Sequence, residues 1–434
     1  RVIWKSSIFA HVNSSLSFNL MIMDLYLLIF TSEEFHAEQV YESHKELFVS
    51  LEKHFTLHLV PYTEDEQIPQ GAYKMPFIAD GHVADIVIRN FSVFPYPITL
   101  LADGVNNSLA AALEVATWVR TKDMRARIIY GKVSDMVKQV LFHHQAYAAK
   151  HKLKGKRIGL IGAPAPWLVA SHADYLLTNR RWGVTYVDIP VEEIYKHYYA
   201  ITDEEVGVEA SLLATNAQAC QDVTPEELLC EMRLYYATRK VCEEYHLDAV
   251  TLSRFSMLQD LKITGCVAVS LLNDNGIPAG SEGDLQAIMT LLMVKVLTGQ
   301  QGFIANPSLV DTEKNTVLLA HDTIGTQMVE QYILRSHFDT PQGIAIQGIM
   351  HEGNVTVFKC GGECLDEYYV ASGYLTENTN FVSICRTQLL IKLNGKPADY
   401  FLKNPLGNHH ILIKGDYCDM IQEFMQQNRC RLRE

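Results

Sequence analysis

The chain has 434 residues, of which 48% are hydrophobic and 20% are charged, and its formal net charge is −13. This length predicts two to four domains with sizeable cores. The acidic balance, without a long basic run, argues against nucleic acid as the main partner and leaves a small neutral or phosphorylated molecule as the expected ligand.

The first 22 residues are expected to form a leader outside the core. Polar residues between Asn13 and Asn19 interrupt their apolar side chains, so no stretch reaches the ~20 apolar residues of a membrane-spanning helix. The run at 24–30 is typical of a first core strand. We therefore expect no membrane anchor in this part of the chain.

Alternating strands and helices predict two parallel α/β domains, at 23–152 and 153–302. In the first domain, strands are expected at 24–30, 55–60, 85–89, 97–102 and 126–130, and helices at 32–54, 107–121 and 132–150. In the second domain, strands are expected at 157–161, 184–188, 248–252 and 266–272, helices at 166–179 and 282–298, and a mixed helical region at 191–245.

From 303 to 434 the pattern changes to closely spaced strands punctuated by Gly, Asn and Asp. The expected strands are 316–320, 343–348, 354–359, 382–393 and 410–414, before a closing helix at 416–427. The predicted fold is therefore α/β, with two doubly wound Rossmann-like domains followed by a β-rich, barrel-like C-terminal domain. Parallel sheets of this kind bind ligands at the carboxyl ends of their strands.

The segment Gly159–Gly162 resembles part of a dinucleotide-binding loop. It lacks the full GxGxxG pattern, and Pro164 and Pro166 stand where helix amides would face a pyrophosphate. A tight turn between strand and helix is the better interpretation, so no nucleotide cofactor is expected.

The nine cysteines are few and odd in number for so long a chain. Cys230, Cys242, Cys266 and Cys385 lie in apolar surroundings, which favours buried thiols over disulfides. We therefore expect reduced cysteines and a cytoplasmic, reducing compartment.

The segment Ala279–Leu285 carries a candidate metal ligand. If 266–272 is a buried strand, the following helix begins with Ser281 as its N-cap and Asp284 at N3. Glu282 is then the first helical residue, where the helix dipole favours the ionised carboxylate that a divalent cation requires. The alternative is that Glu282 and Asp284 only decorate a helix start.

Two histidine-containing segments lie in the β-rich region. His321 and Asp322 end an apolar strand, where a lone histidine is more often structural. His409 and His410 follow the turn Pro405–Asn408 and open a strand, so alternation sends their side chains to opposite faces. One of the two is therefore the better ligand candidate.

Eight segments, in order along roughly three quarters of the chain, resemble the L-fucose/L-arabinose isomerase superfamily, and most closely its shorter L-fucose isomerase-like branch. They are Leu101–Ala110, Leu153–Gly162, Thr264–Ala268, Ala279–Asp284, Phe303–Ser308, Leu319–Asp322, Cys385–Gln388 and Asn404–His410. The resemblance implies a divalent metal, Mn²⁺ in the first place, held by Glu282 and His409 with Asn306 as a weaker ligand. It also implies a homo-oligomer, a trimer or a hexamer.

Asn306 departs from the pattern of these isomerases, in which an acidic residue occupies this segment, as a metal ligand and acid/base in the L-fucose isomerases. An amide oxygen can coordinate a hard cation but cannot transfer a proton near neutral pH. The resemblance then implies Glu282 as the base, with Asp322 or His321 supplying the second proton transfer.

The expected activity is aldose–ketose isomerisation of a sugar or sugar phosphate through an enediolate stabilised by the metal. The alternatives are a metal-dependent epimerase or lyase, and a sugar-binding relative that has lost catalysis. Substrate contacts are expected from Arg254, Arg386, Asn408 and His410. The two arginines lie in apolar contexts, so structural pairing is an equal alternative for them.

Overall fold

The computed structural model describes residues 23–94, 98–340 and 342–434, and only the backbone of 254–256. The leader expected at 1–22 lies outside the described residues. The chain divides into two compact units, one up to His144 and one from Gln145 to Glu434.

The first unit is built on a parallel sheet. Its strands are β1 (Met23–Phe30), β2 (Phe55–Pro61), β3 (Lys74–Ile78), β4 (Ile98–Leu101) and β5 (Ala126–Ile129). Its helices are α1 (Ala37–Ser43), α2 (Lys45–Glu52), α3 (Ala84–Arg89), α4 (Ser108–Arg120) and α5 (Val133–Leu153), the last of which continues into the second unit. The strands are ordered β2-β1-β3-β4-β5 and pair in parallel throughout.

The first unit differs from the prediction in three places. The strand expected at 85–89 is helix α3, because a short apolar run does not distinguish a strand from one helical turn. Strand β3 was missed because Pro76 lies inside it, and proline normally argues against a central strand. The single helix expected at 32–54 is also two helices, which are separated at His44.

The second unit begins with another parallel sheet. Its first strands are β6 (Arg157–Ile161), β7 (Thr185–Ile189), β8 (Ala219–Gln221), β9 (Ala249–Leu252) and β10 (Ala279–Ser281). The helices in this part are α6 (Tyr175–Trp182), α7 (Val191–Tyr198), α8 (Asp203–Asn216), α9 (Pro225–Glu244), α10 (Arg254–Leu261), α11 (Cys266–Asp274) and α12 (Leu285–Thr298). The parallel sheet has the order β10-β9-β6-β7.

The strand expected at 266–272 is helix α11 instead. All residues from Cys266 to Leu272 are buried, so the run shows neither helical nor strand periodicity. The strand that pairs with β9 is the short β10, which follows this helix. The helix expected at 166–179 is also displaced, since α6 begins only at Tyr175.

The C-terminal region contains a closed barrel, as predicted. Its elements are β11 (Gly302–Asp311), β12 (Thr316–His321), β13 (Gln331–Ser336), β14 (Ile344–Ile349), β15 (Gly353–Gly361), β16 (Glu367–Asn378), β17 (Thr387–Asn394), α13 (Tyr400–Lys403), β18 (His410–Lys414), α14 (Cys418–Gln427) and β19 (Arg431–Leu432). Six antiparallel strands run in the order β15-β18-β11-β12-β17-β16, and β15 pairs with β16 to close the barrel. Strands β13, β14 and β8 form a separate small sheet, so the structure is mixed α/β with a β-barrel.

Helix α12 joins the two layers of the second unit. It contacts β6 and β9 of the parallel sheet and β11, β15 and β18 of the barrel. Twelve of its 14 residues are buried, as expected of a helix that is apolar on all sides. Its N-terminus is therefore fixed relative to both layers.

All nine cysteines are free thiols. Of the four in apolar surroundings, Cys242 and Cys266 are buried and Cys230 and Cys385 are partly buried. Among the helices within the described ranges, none has the length and apolar character needed to cross a bilayer.

Glu231 is a buried carboxyl on α9 that ties this helix to the start of α11. Its Oε1 accepts hydrogen bonds from the amides of Thr264 and Gly265 and from the Thr264 hydroxyl. Burial nevertheless raises the pKa of Glu231 to about 7. At pH values between the ordinary carboxyl pKa and about 7, the folded protein therefore keeps a proton on Glu231 that the unfolded chain has already released.

We expect the free energy of unfolding to fall between pH 5 and pH 8 by roughly 2–3 kcal/mol through this one group, since a pKa unit is worth about 1.4 kcal/mol. The Glu231→Gln variant should lose that part of the pH dependence in denaturant titrations. Glu226→Gln, at an exposed position on the same helix, should keep it. Identical pH profiles for wild type and Glu231→Gln would refute the assignment.

Candidate metal centre

Glu282, His321 and His409 lie together in the second unit. One ligand-type atom of each side chain lies within 4.8 Å of the others, and all three residues are buried. The centroids of the two imidazole rings are 5.4 Å apart. One carboxylate with two imidazoles is a donor set that divalent transition metals accept. The structure thus brings together three residues that the sequence singled out separately.

Glu282 is not the first residue of helix α12, contrary to expectation. The helix begins at Leu285, and its N-cap is Asp284, whose Oδ1 accepts a hydrogen bond from the amide of Ala287 at 2.7 Å. Glu282 instead lies in the turn between β10 and α12, at the carboxyl end of the parallel sheet. Its carboxylate is positioned by this turn, and Trp167 Nε1 donates to its Oε2 at 3.1 Å.

The turn has an unusual backbone. Glu282 and Gly283 are both left-handed, with φ of 72° and 74°. Left-handed geometry costs a residue with a Cβ roughly 1–2 kcal/mol. At Gly283, a Cβ would lie 2.6 Å from Pro164 Cα, so only glycine fits. Strain of this kind is often found at functional sites, where the surrounding structure enforces it.

His409 is held by a carboxylate behind it. Its Nδ1 lies 2.9 Å from Asp284 Oδ2, and both side chains are buried. With the proton on Nδ1, the lone pair of Nε2 is available to a ligand. That Nε2 is buried and has no hydrogen-bond partner. A carboxylate that fixes the far nitrogen of an imidazole is the usual support of a metal-binding histidine.

Lys359 of β15 is a fully buried lysine beside this pair. Its Nζ lies 3.9 Å from Asp284 Oδ1 and makes no hydrogen bond. Burial lowers the pKa of Lys359, and the neighbouring Asp284 partly offsets this. Burial alone would raise the pKa of Asp284, but the charge of Lys359 and the hydrogen bond from His409 hold it well below its usual range. Asp284 is therefore ionised at neutral pH.

His321 is oriented differently from His409. Its Nδ1 accepts a hydrogen bond from the amide of Asp322 at 2.9 Å and lies 3.3 Å from the Thr323 hydroxyl. In the neutral ring the proton is consequently on Nε2, which makes this nitrogen a donor. His321 is thus suited to proton transfer as it stands, and it can serve as a ligand through Nε2 only after that proton leaves.

Asn306 lies on β11 between the two strands that carry the histidines. It pairs with Ala320, the residue before His321, while its neighbour Ala305 pairs with His410, the residue after His409. Its Oδ1 is buried without a hydrogen-bond partner. Two unpartnered acceptors, on His409 and Asn306, fit a cation better than a purely structural polar cluster, in which such atoms are normally paired.

Asp322 is held by its surroundings. Its Oδ1 accepts from the amide of Arg386 at 2.7 Å, and His337 Nε2 lies 2.8 Å from its Oδ2. Burial would raise the pKa of Asp322, but the hydrogen bond and the charge of His337 lower this pKa to about 2. Asp322 is therefore ionised at neutral pH.

Three of the expected substrate contacts are described by the structure. The Arg386 guanidinium donates through Nε to the Ser336 carbonyl, so it has a structural partner, and Asn408 is exposed. His410 is buried near Tyr400 and Phe401, and burial lowers its pKa to about 3. Its full burial favours a packing role over the substrate contact that we expected of it. The side chain of Arg254 lies outside the described residues.

Sequence reasoning missed three supporting residues. Lys359 stood out as a lone cation in the apolar run Val355–Cys360, and this signal was available. Trp167 and His337 gave no such signal, because they reach Glu282 and Asp322 through tertiary contacts.

Comparison of the chain with protein-family models gives no match, and comparison with curated proteins gives none either.

Proposed function

We propose that this chain is a metal-dependent aldose–ketose isomerase that uses Mn²⁺. The observation that carries the proposal is the buried Glu282, His321 and His409 cluster, in which Asp284 already orients His409. Glu282, His409 and Asn306 are the residues that would hold the cation. The resemblance to the L-fucose isomerase-like branch supplies the reaction class, which the donor set alone does not specify.

The finer fold assignment belongs to the same proposal. The strand order β2-β1-β3-β4-β5 of the first unit is that of a doubly wound sheet. In the second unit, β10-β9-β6-β7 reverses direction beside β6 in the same way. We interpret both sheets as Rossmann-like, with the central and C-terminal domains, 153–302 and 303–434, sharing the second unit.

A bound divalent cation would supply Lewis-acid chemistry, polarising the carbonyl of an open-chain sugar and acidifying the adjacent C–H. Glu282 is the residue that removes the proton from C2, since its carboxylate is in the cluster and is positioned by the strained turn. Trp167 donates a hydrogen bond to its Oε2 and so helps to orient the carboxylate.

His321 is the residue that makes the second proton transfer: its Nε2–H gives a proton to O1 of the enediolate and the ring takes one back from the O2 hydroxyl, while Glu282 returns the C2 proton to C1. Its Nε2 carries a proton in the neutral ring, because the Asp322 amide occupies Nδ1. Asp322 was the other candidate, but a carboxyl with a pKa of about 2 has no proton to give at neutral pH. In this proposal Asp322 positions the end of β12 and thereby His321.

The substrate is a small sugar or sugar phosphate, and the protein works as a trimer or hexamer in the cytoplasm. The nine free thiols are consistent with a reducing compartment. Oligomeric state is measured directly by light scattering coupled to size-exclusion chromatography.

A second candidate function is sugar binding without turnover, which Asn306 favours. Where the L-fucose isomerases that this chain resembles use an acid/base, this chain has an amide, and an amide cannot act as an acid or base near neutral pH. An epimerase or a lyase would use the same cluster to act on a different bond of the sugar.

The deciding experiment is incubation of Mn²⁺-loaded protein in D₂O with a panel of pentoses, hexoses and their phosphates. An isomerase is expected to convert an aldose to its ketose, with exchange or transfer of the C2 hydrogen detected by NMR. An epimerase would return an aldose of inverted configuration. A pure binder would only raise the melting temperature of the protein. No turnover of any sugar in the panel would count against isomerase activity.

Asn306→Asp tests the role of the amide. A second carboxylate among the groups proposed to hold the cation adds like-charge repulsion, so we expect C2-hydrogen exchange to slow by about tenfold, the effect of roughly 1.4 kcal/mol. Asn404→Asp, at an exposed position, is the matched control and should leave the rate unchanged. Tighter Mn²⁺ binding with faster exchange would instead show that Asn306 is a degraded acid/base position.

A further inference from the structure

A basic cavity lies in the second unit, formed by residues outside the metal cluster. Its volume is about 520 Å³, and four of its lining residues are cationic: Lys150, Arg180, Arg181 and Arg429. The other lining residues are Leu177, Cys364, Gln427 and Asn428. No aspartate or glutamate lines it, in a chain whose net charge is −13.

Three helix ends contribute these cations. Lys150 lies in the last turn of α5, Arg180 and Arg181 lie in the last turn of α6, and Arg429 follows the end of α14. Cations are expected at helix C-termini, because each end carries about half a negative charge. Three ends account for about −1.5 charges, whereas the side chains supply four positive ones. The positive charge of the side chains therefore exceeds the negative charge of the helix ends, and helix capping does not explain this difference.

Two of the cations are fixed in place. Lys150 donates to the carbonyl of Arg181 and its Nζ lies 4.3 Å from the centroid of the Trp182 ring. Arg181 donates to the carbonyl of Asn428 at 2.7 Å. Burial, together with the charges of Arg181 and Lys154, lowers the pKa of Lys150 to about 8. The described part of the chain offers no carboxylate within ion-pair distance of Lys150, Arg180 or Arg181.

Arg429 adds a separate observation. Its φ is 57°, in the left-handed region, directly after the C-cap of α14. Glycine or asparagine normally occupies this position. Arginine therefore adopts an unfavourable backbone conformation at this position, and its side chain adds a cation to the lining of the cavity.

Two acids lie close to the cavity without lining it. Glu363 and Asp366 raise the pKa of the Cys364 thiol, after burial, so they lie close to the rim. Asp366 is already 3.5 Å from the guanidinium of Arg431. Neither lines the cavity.

We propose that this cavity is a binding site for a phosphate group, either as inorganic phosphate or as a phosphate monoester. Guanidinium groups match phosphate oxygens through paired N–H donors, and three arginines with one lysine provide both this geometry and the charge. The site is separate from Glu282 and His409 and does not depend on the proposed isomerase activity.

The test is isothermal titration calorimetry of the full chain with inorganic phosphate and, separately, with a hexose 6-phosphate. EDTA in the buffer prevents phosphate from binding through a metal. We expect saturable binding by the wild type, and an affinity about tenfold weaker in Arg180→Gln, as for one charged hydrogen bond lost. Arg120→Gln, in the last turn of α4, removes a cation from an equivalent helix position outside the cavity and should bind as the wild type does.

Arg429→Gly keeps the experiment decisive if other variants fold poorly, because glycine relieves the left-handed backbone. We expect this variant to remain folded and to bind phosphate about tenfold more weakly. A monoester that binds more tightly than inorganic phosphate would identify the ester as the ligand, and the reverse order would identify the free anion. Absence of saturable binding to both probes, or equal losses in Arg120→Gln, would overturn the proposal.

Discussion

Removal of either first-choice ligand is expected to abolish tight Mn²⁺ binding while the fold persists. Glu282→Gln and His409→Ala should each weaken the affinity by at least about 100-fold, since even supporting residues behind a ligand are worth about 10–100-fold. The reason is that each variant removes one of the three groups proposed to hold the cation, which are Glu282, His409 and Asn306. Elemental analysis after dialysis and quenching of Trp167 fluorescence on Mn²⁺ addition both measure the loss.

His410→Ala is the informative comparison for this prediction. His410 is the next residue along the chain, but its ring is buried near Tyr400 and Phe401. This variant should lower the melting temperature and still bind the cation. If His410→Ala lost the metal and His409→Ala kept it, the wrong imidazole would have been assigned.

The largest loss of stability is expected from Asp284→Ala. The substitution removes the N-cap of α12, worth about 1 kcal/mol, and leaves the ammonium of Lys359 buried without its counter-ion. Breaking one side of a buried ion pair costs about 3–5 kcal/mol. Denaturant unfolding of the metal-free protein should therefore show a fall of this order.

The double variant Asp284→Ala, Lys359→Met separates the two contributions. Methionine fills a similar volume without a charge, so most of the lost stability should return, leaving mainly the cost of the missing cap. Metal affinity should stay low in both variants, because His409 has lost the carboxylate that orients it. Equal instability of the single and double variants would show that the Asp284 and Lys359 pair is not the cause.

Local patterns predicted the β-rich C-terminal region and most strands of the parallel sheets, because alternation and turn residues are short-range signals. They failed where burial is complete. Helix α11 is buried on every side, and its sequence therefore resembles a core strand. This error affected the candidate site, because a strand at 266–272 led us to predict a helix start at Glu282, three residues before the observed start at Leu285.

The candidate ligands were accessible from the sequence because each is a metal-type residue at the end of a predicted element. Their mutual arrangement was not accessible. The 2.9 Å contact of His409 with Asp284 joins residues 125 positions apart, and it depends on how the barrel packs against α12. The left-handed turn at Glu282 could not be predicted either, because glutamate rarely adopts this geometry and the neighbouring residues give no signal for it.

Glu282 comes from a turn beside the parallel sheet, whereas His321 and His409 come from the barrel. A cation held by residues of both layers would act as a removable cross-link between two halves of one folding unit. Its contribution would grow with free metal concentration, reaching about 2.7 kcal/mol at 100 times the dissociation constant. The lifetime of the folded protein would then depend on the supply of the metal. A shortage of metal would shorten this lifetime as well as remove the proposed activity.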